Sequence, residues 1–556
     1  MAAMITIDFL NCFILIFLCF FSLLCYSLFF KKPKDGFDFP PSPPSLPIIG
    51  HLHLLLSVLP HKAFQKISSR YGPLLHLRIF KVPFVLASSA SVAYELLRTH
   101  DVNVSSRGFN TLENSLFIGH ETFVGADFGD YYKFMKKVLV MNLFGTQALG
   151  LRYMYFRPVR VKRFNRHTDM YINMLYNVNK IRKHILFIVT FVGADFGDKK
   201  VLVMNLFGTQ ALERSRGIRA DELERFYARL LDKARKKESV EIGKEAMVLT
   251  NYIMSKLLIG RSCSEEDGEA GKVRDSVTKT MGLFKKVFFS NMLGKPLNEK
   301  EIRRVSSGFN ELLERLLREH EDKHQDTDMM DVLLAVYKDG NADYKITRNH
   351  IKLMIVELFL GGTDTAARLI QWAMAEILSE PNILERLRQE IDSVVGKTRL
   401  IQETDLPRLP YLQAVVKETL RLHPVGRFHI PERTTLVVNI YAVMRDPDLW
   451  QDPDEFKPER FLASSSSEQE DERKKVLKFI PFGSGRRGCP GENLGYIFLE
   501  TGVGMMVQCS DWTISGDKTV SMEETLEGLS LTMAHPLICT LLPRTEFKSE
   551  DSKLLT

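Results

Sequence analysis

Cysteine is scarce in this chain: its 556 residues include seven, of which three lie in an apolar N-terminal run and four are scattered. Their spacing matches neither a zinc site nor a disulfide framework, and this usage fits a reducing, cytosol-facing location. None of the 14 histidines forms a convincing metal or catalytic set. The sequence also lacks a phosphate-cradling loop and any flavin or nicotinamide fingerprint.

The net charge of +7 does not indicate a nucleic-acid-binding surface. Residues 150–190 hold nine Lys or Arg and one Asp, so the rest of the chain would carry about −1 without them. The net positive charge therefore comes from one segment, and we expect no nucleic-acid partner. Hydrophobic residues make up 45% of the chain, which is enough for a large core and excludes general disorder.

Charged residues are absent from 9–30, a run rich in Phe, Leu and Ile. Its 22 residues are long enough to cross a bilayer as a helix. A cleaved signal peptide is the alternative, but no Lys or Arg precedes the run and no small-x-small cleavage site follows it. Lysines at 31, 32 and 34 follow directly, so the positive-inside rule places the following bulk in the cytosol. The proline-rich stretch 40–47 predicts a stiff, extended hinge.

Residues 482–491 carry the strongest signal for chemistry, with the pattern Phe-x-x-Gly-x-Arg-x-Cys-x-Gly. Cys489 lies among glycines and can offer a thiolate to a metal. Gly485 and Gly491 allow a large flat ligand to approach the backbone, and Arg487 can meet a carboxylate. Phe482 begins the pattern. A buried structural cysteine is the alternative for an isolated residue, and the complete pattern disfavours it.

This pattern resembles the haem-binding loop of cytochromes P450. Glu418 and Arg421 match the Glu-x-x-Arg helix of that family, Arg460 matches its Pro-Glu-Arg-Phe segment, and 361–365 match its oxygen-activating helix. The chain resembles a plant A-type cytochrome P450. Its sequence around these motifs is similar to that of a crucifer subfamily linked to triterpenoid and related specialised metabolism. The resemblance implies a mainly α fold with small β-sheets (α+β), together with an N-terminal transmembrane helix.

The function that this resemblance implies is haem-thiolate monooxygenation. One oxygen atom of O₂ would enter an apolar small molecule, and Cys489 would ligate the haem iron. Because the chain has no flavin or nicotinamide fingerprint, electrons from NADPH would come through a separate NADPH–cytochrome P450 reductase. The implied location is the endoplasmic reticulum membrane, in contact with lipid, as a single-pass protein with a cytosolic catalytic domain. Two alternatives are a non-catalytic haem-binding or damaged membrane protein, and an isomerase or dehydratase of the same fold.

Residues 347–380 are predicted to form one long helix with Thr347 as its N-cap. Gly361 and its neighbour at 362 weaken the middle of that helix by up to ~1 kcal/mol each. Close helix packing is one explanation. The resemblance implies a second explanation, in which small residues leave room for dioxygen. Thr365 and Asp364 would then take part in proton transfer to it.

Three further roles follow from the resemblance. Glu418, Arg421 and Arg460 are expected to form a buried structural network, although an i,i+3 ion pair is normally a solvated surface feature. Tyr132 stands where the family usually has Trp, and Lys136 follows four residues later. Both are candidates to contact the haem propionates, as is Arg487. An exposed helix lysine is the alternative for Lys136.

An internal duplication interrupts the N-terminal half. Residues 123–130 recur as 191–198, and 136–149 recur as 199–212. Structural repeats usually diverge and need at least three units to build a core. We therefore predict that 150–212, which is 63 residues, is an insertion without a role that is looped out or poorly ordered.

The resemblance also implies that a segment is shortened after His423 and Pro424. The family has there a strand that lines the substrate pocket and an arginine that pairs with a haem propionate. The predicted organisation is a membrane anchor, a basic and proline-rich hinge, a cytochrome P450 catalytic domain with its insertion, and a tail: 1–30, 31–50, 51–545 interrupted by 150–212, and 546–556.

Overall fold

Helices dominate the fold, and small β-sheets lie at its margins, as the α+β prediction states. The computed structural model describes part of the chain, and the statements below concern that part alone. The described positions are 12–14, 16–20, 40–56, 59–80, 82–99, 101–105, 122–144, 185–188, 211–261, 272, 275–276, 279, 299–323, 328–424, 434–462, 479–515, 519–527 and 530–544.

The α-helices are numbered here in chain order. They are α1 Pro60–Tyr71, α2 Ala90–Tyr94, α3 Asp101–Val104, α4 Asp130–Leu139, α5 Arg216–Arg235, α6 Ile242–Ile259, α7 Glu299–Lys323, α8 Met329–Lys338, α9 Arg348–Ser379, α10 Pro381–Val394, α11 Pro410–Leu422, α12 Ile440–Val443 and α13 Glu492–Cys509. Short 3₁₀ turns lie at Leu52–Leu54, Leu406–Arg408 and Pro458–Phe461, and π turns lie at Glu95–Thr99 and Val140–Phe144.

Helix α9 runs for 32 residues through the centre of the protein, which confirms the predicted long helix. Thr347 caps it: the threonine hydroxyl accepts the His350 amide, and the His350 side chain accepts the Thr347 amide. The helix stops before Pro381 because a residue preceding proline is driven out of the α region. Glu380 is accordingly extended, and Pro381 starts α10 at a position where its missing N–H costs nothing.

Nine strands form three sheets among the described residues. They are β1 Leu74–Ile79, β2 Val82–Ala87, β3 Ile185–Ile188, β4 Ser239–Glu241, β5 Thr434–Val438, β6 Ser510–Ile514, β7 Glu524–Glu527, β8 Ser530–Met533 and β9 Ile538–Pro543. The orders are β1-β2-β5-β3, β4-β9-β6 and β7-β8. β1 and β2 are antiparallel, with Leu77 opposite Phe84, whereas β5 runs parallel to β2 and to β3.

Strand β3 lies inside the duplicated segment 150–212. Its four residues pair with β5, Ile185 opposite Thr434, so the expectation that the segment is looped out does not hold for them. Positions 150–184 and 189–210 lie outside the described residues. The same is true of 425–433, where a shortened segment is predicted, and of the tail beyond 544.

The predicted membrane anchor falls mostly outside the described residues. Helical backbone is described at 12–14 and 16–20, with exposed side chains. Within the described part of the chain, no helix is both long and apolar enough to cross a bilayer. The hinge is described from residue 40 onward. There the buried His51 ring bonds the Pro43 carbonyl at 2.8 Å and accepts the Arg78 amide at 2.8 Å. His51 is therefore a packing residue and not a metal ligand candidate.

One large apolar core joins the helices that position the site. It includes buried side chains from α4, α5, α6, α9, α11 and α13. α6 lies along α9, and α13 packs against α9, α10 and α11. Two smaller cores lie on opposite faces of the β1-β2-β5 sheet, since alternate residues of its strands belong to one or to the other. The helices that carry the predicted motifs are thereby held in fixed relation to one another.

Candidate active site

The cysteine-containing loop is folded by its glycines and by one backbone hydrogen bond. The Cys489 amide donates to the Phe482 carbonyl at 2.9 Å, which closes the loop. Gly485 has φ +73°, and a side chain there would overlap the Leu97 carbonyl oxygen. Glycine is therefore required at this position for two separate reasons. Gly491 caps α13, so half-buried Cys489 lies three residues before that helix begins.

Cys489 lies where the negative charge of a thiolate would be stabilised. The N-terminal end of α13 carries partial positive charge from unpaired backbone N–H groups, which favours an anion there. Lys136 lies near enough for its charge to interact with that of Cys489. Phe482 packs edge-on against Tyr496 at 5.2 Å and supports the loop from behind. The loop thus presents a sulfur atom on a rigid support.

Two buried cations and a phenol converge beside this loop. Lys136 and Tyr132, one turn apart on α4, both donate to the Arg486 carbonyl, at 3.3 and 3.5 Å. The Arg487 guanidinium lies 3.9 Å from the Tyr132 ring centre. Lys136, Arg487 and Tyr132 are 5%, 3% and 1% exposed, so all three are removed from water. The alternative of an exposed helix lysine is therefore wrong for Lys136.

Lys136 and Arg487 have no hydrogen bond to a carboxylate among the described residues, although Asp127 lies near enough for its charge to act on Arg487. Arg487 donates to the carbonyls of Ser105 and Ala126, but its Nη1 is buried without a described hydrogen-bond partner. Burial, and then the charge of Arg487, holds the pKa of Lys136 well below its usual value, although Cys489 acts in the opposite direction. Burial also lowers the pKa of Arg487. The Asp101 carboxylate is paired with Arg486 instead, at 3.1 Å.

Buried charge without a partner is costly, so this arrangement indicates a site for an anionic group. A haem group fits these residues. Cys489 offers a thiolate to its iron, the unused Arg487 donor and the Lys136 ammonium suit its carboxylates, and the glycines allow a flat ring to lie close to the backbone.

The two glycines of α9 have different surroundings. A side-chain carbon added at Gly362 would come 2.7 Å from the end of the Met254 side chain on α6, so this glycine serves helix packing. One added at Gly361 would meet nothing within 4 Å among the described atoms. Gly362 therefore serves close helix packing, whereas Gly361 borders open space, and a role for that space in binding dioxygen stays a prediction.

Thr365 and Asp364 make local hydrogen bonds within α9. The Thr365 hydroxyl donates to the Gly361 carbonyl at 2.6 Å, and its oxygen can still accept a hydrogen bond. Arg368, one turn later, donates from Nε to both carboxylate oxygens of Asp364 at 2.8 and 2.9 Å. Asp364 is buried, so this ion pair partly satisfies its charge. The i,i+4 spacing could have indicated Arg368 from the sequence.

Glu418, Arg421 and Arg460 meet in one buried network. Arg421 donates to both carboxylate oxygens of Glu418 at 2.8 Å, and Arg460 adds a third bond at 3.2 Å. Glu418 and Arg421 are fully buried, which excludes the surface ion pair considered above. The remaining Arg421 donors bond the carbonyls of Met444, Pro453 and Glu455. The network joins α11 to the segment that precedes the cysteine loop.

Besides Arg368, a second residue of the site region was missed from the sequence. Glu357 on α9 accepts the backbone amides of Phe123 and Val124, both at 2.9 Å. The turn that they begin also supplies the Ala126 carbonyl to Arg487. These partners are more than 230 positions apart in the chain, so no local pattern could indicate the contact.

The chain is similar to known proteins over most of its length. The family model described as Cytochrome P450 matches residues 40–162 and 196–540. Cytochrome P450 705A22 of Arabidopsis thaliana is 53% identical over 98% of this chain and 99% of its own length. The 3,9-dihydroxypterocarpan 6A-monooxygenase of Glycine max is 34% identical over 95% and 97%. A zebrafish cytochrome P450 structure with progesterone has a TM-score of 0.65 at 21% identity, covers 88% of this chain and all of its own, and so shares the fold.

Proposed function

The chain belongs to the cytochrome P450 family, and we propose that this protein oxygenates an apolar plant specialised metabolite, with triterpenoids as the first class to test. Membership makes it a haem-thiolate oxidoreductase of the monooxygenase type, supplied with electrons by a reductase. The non-catalytic alternative has no support from relatives that match nearly the whole chain.

The observation that carries the proposal is the buried pair of cations beside Cys489, of which one has an unused donor. In our proposal Cys489 holds the iron, while Arg487, Lys136 and Tyr132 hold the carboxylates of the haem. Phe482, Gly485 and Gly491 shape the loop around it. Haem iron with a thiolate ligand supplies the activation of dioxygen, and the protein supplies binding, orientation and control of water.

The residues of α9 are proposed to handle protons. The buried Asp364 carboxylate is oriented by its two hydrogen bonds from Arg368. The Thr365 oxygen can accept a hydrogen bond while its own proton is donated to Gly361. The open space next to Gly361 leaves room for dioxygen beside Asp364 and Thr365 in this proposal. In this proposal Asp364 and Thr365 would pass protons toward dioxygen, which is general acid catalysis by a relay.

Substrate and location are the finer parts of the proposal. The pterocarpan in the name of the soybean relative, together with the resemblance to a triterpenoid-linked subfamily, supports a polycyclic apolar substrate. The uncharged run at 9–30 supports an anchor in the endoplasmic reticulum membrane. There the NADPH–cytochrome P450 reductase would be the electron donor.

The first test is the ferrous–carbon monoxide difference spectrum of the full chain in membranes. We expect the red-shifted Soret band of thiolate ligation in the wild type and its loss in Cys489→Ser. Cys539→Ala is the matched control, because Cys539 is also buried but lies on β9. It should keep the band. A wild type without the band, or a Cys489→Ser variant that keeps it, would overturn the assignment.

Turnover tests the reaction itself. With reductase, NADPH and dioxygen, we expect a triterpenoid or phenylpropanoid-type substrate to gain one oxygen atom, and ¹⁸O₂ to label the product. A product formed without NADPH or dioxygen would favour isomerisation or dehydration. No label in any product would contradict monooxygenation.

A further inference from the structure

The turn at 122–126 lies between a carboxylate and a guanidinium. On one side Glu357, half-buried on α9 one turn before Gly361, accepts the amides of Phe123 and Val124 with its two oxygens, each at 2.9 Å. Consecutive backbone N–H groups form a concave anion-binding surface. Hydrogen bonds from them to an ionised carboxylate are roughly twice as strong as bonds between neutral groups.

On the other side the same turn contacts the proposed haem-binding residues. The Ala126 carbonyl accepts Arg487, and the Phe123 ring stacks on Tyr132 at 4.6 Å and 8°. Inside the turn, the Thr122 hydroxyl accepts the Gly125 amide at 3.0 Å. A shift of this turn would therefore move the Arg487 acceptor and the Tyr132 ring together.

We propose that Glu357 is a positioning residue for Arg487 and Tyr132, two of the proposed haem-binding residues. By fixing the turn at 122–126 on α9, it holds Arg487 and Tyr132 in the orientation that receives the haem carboxylates. This inference rests on the proposed function. It assigns to α9 a second task, the support of the carboxylate end of the site, in addition to proton handling by Asp364 and Thr365.

The test uses Glu357→Gln in the full chain. The amide side chain keeps one acceptor but places an N–H group against the other backbone N–H. We expect hydrogen exchange of the peptide containing 122–126 to become about tenfold faster. Haem titration of the haem-free protein should show about tenfold weaker binding. The carbon monoxide band should keep its thiolate position, because Cys489 is untouched.

Glu390→Gln is the matched control. Glu390 also accepts two consecutive backbone amides, those of Tyr411 and Leu412, at 2.8 and 3.0 Å. This variant should lower thermal stability about as much as Glu357→Gln, yet leave haem affinity and exchange at 122–126 unchanged. A purely structural role for Glu357 predicts instead that haem affinity is unchanged in both variants.

Two outcomes would overturn the inference: wild-type exchange at 122–126 in Glu357→Gln, or faster exchange with haem affinity within twofold of wild type. If Glu357→Gln does not fold, Glu357→Asp keeps the charge one methylene shorter, and the same two measurements on it decide. Absence of the thiolate band from wild type would overturn the proposed function. Exchange in the haem-free protein would still decide whether Glu357 fixes the turn.

Discussion

The Glu418–Arg421–Arg460 network and the Lys136–Arg487 pair are both buried, yet among the described residues only the first has a carboxylate hydrogen-bonded to its cations. In the network the carboxylate accepts from both arginines, and backbone carbonyls take the remaining Arg421 donors. In the pair two cations lie together and one donor is unused. A complete network needs no ligand and serves the fold, whereas an incomplete one indicates where a ligand binds.

The largest effect should come from breaking the complete network. Glu418→Gln leaves Arg421 buried without its counter-ion, and we expect a loss of about 3–5 kcal/mol in the free energy of unfolding. Urea unfolding measures it. Glu459→Gln is the control, since the Arg386–Glu459 pair is about half exposed and should change stability by less than ~1 kcal/mol. Equal losses in both variants would contradict the distinction between buried and exposed pairs.

Glu500 on α13 is a third case, a buried carboxyl without a strong counter-ion. Burial raises its pKa to about 7, against a small opposing effect of Lys417. Between pH 4.5 and about 7 the folded state binds more protons than the unfolded state, so stability falls as pH rises through this window.

Glu500→Gln should remove this dependence. The shift corresponds to roughly 3 kcal/mol at about 1.4 kcal/mol per pH unit. We expect the variant to be more stable than wild type at pH 8 by up to that amount and nearly equal to it near pH 4.5. Denaturant unfolding at both pH values measures the difference. A variant with the same pH slope as wild type would show that Glu500 is not the responsible group.

Lys136→Met tests the incomplete pair. The folded state disfavours the charged amine, so between the lowered pKa of Lys136 and its usual value the unfolded state binds more protons. Stability of the haem-free wild type should therefore rise with pH in that window, and the variant should lose this rise. Its haem affinity should fall roughly 10- to 150-fold, because a charged hydrogen bond contributes about 1.5–3 kcal/mol. An unchanged affinity would exclude Lys136 from the haem site.

The smallest effects concern the two glycines of α9. Gly361→Ala places a methyl group in open space and should stabilise the helix by up to about 1 kcal/mol. Gly362→Ala must displace the end of the Met254 side chain and should gain less or lose stability. Thermal unfolding of the two variants, one residue apart, provides the comparison. A larger gain at 362 would reverse the roles given to the two glycines.

Much of the site could be predicted because its signals are local. The pattern around Cys489 depends on glycines whose conformation is set within the loop, as the positive φ of Gly485 illustrates. The bounds of α9 follow from the Thr347 cap and from Pro381, each of which acts within one turn. The partner of Asp364 is also local, since Arg368 is four residues away, although the prediction overlooked it.

The amino-acid sequence by itself determined the family, the cysteine loop and the central helix, because each depends on residues close together in the chain. Only the tertiary structure decided that Glu418 is fully buried, that Arg487 has an unused donor and that Glu357 meets the amides of Phe123 and Val124. Burial and the pairing of charges depend on which distant segments pack together. That packing is set by the whole apolar core and has no counterpart in local spacing.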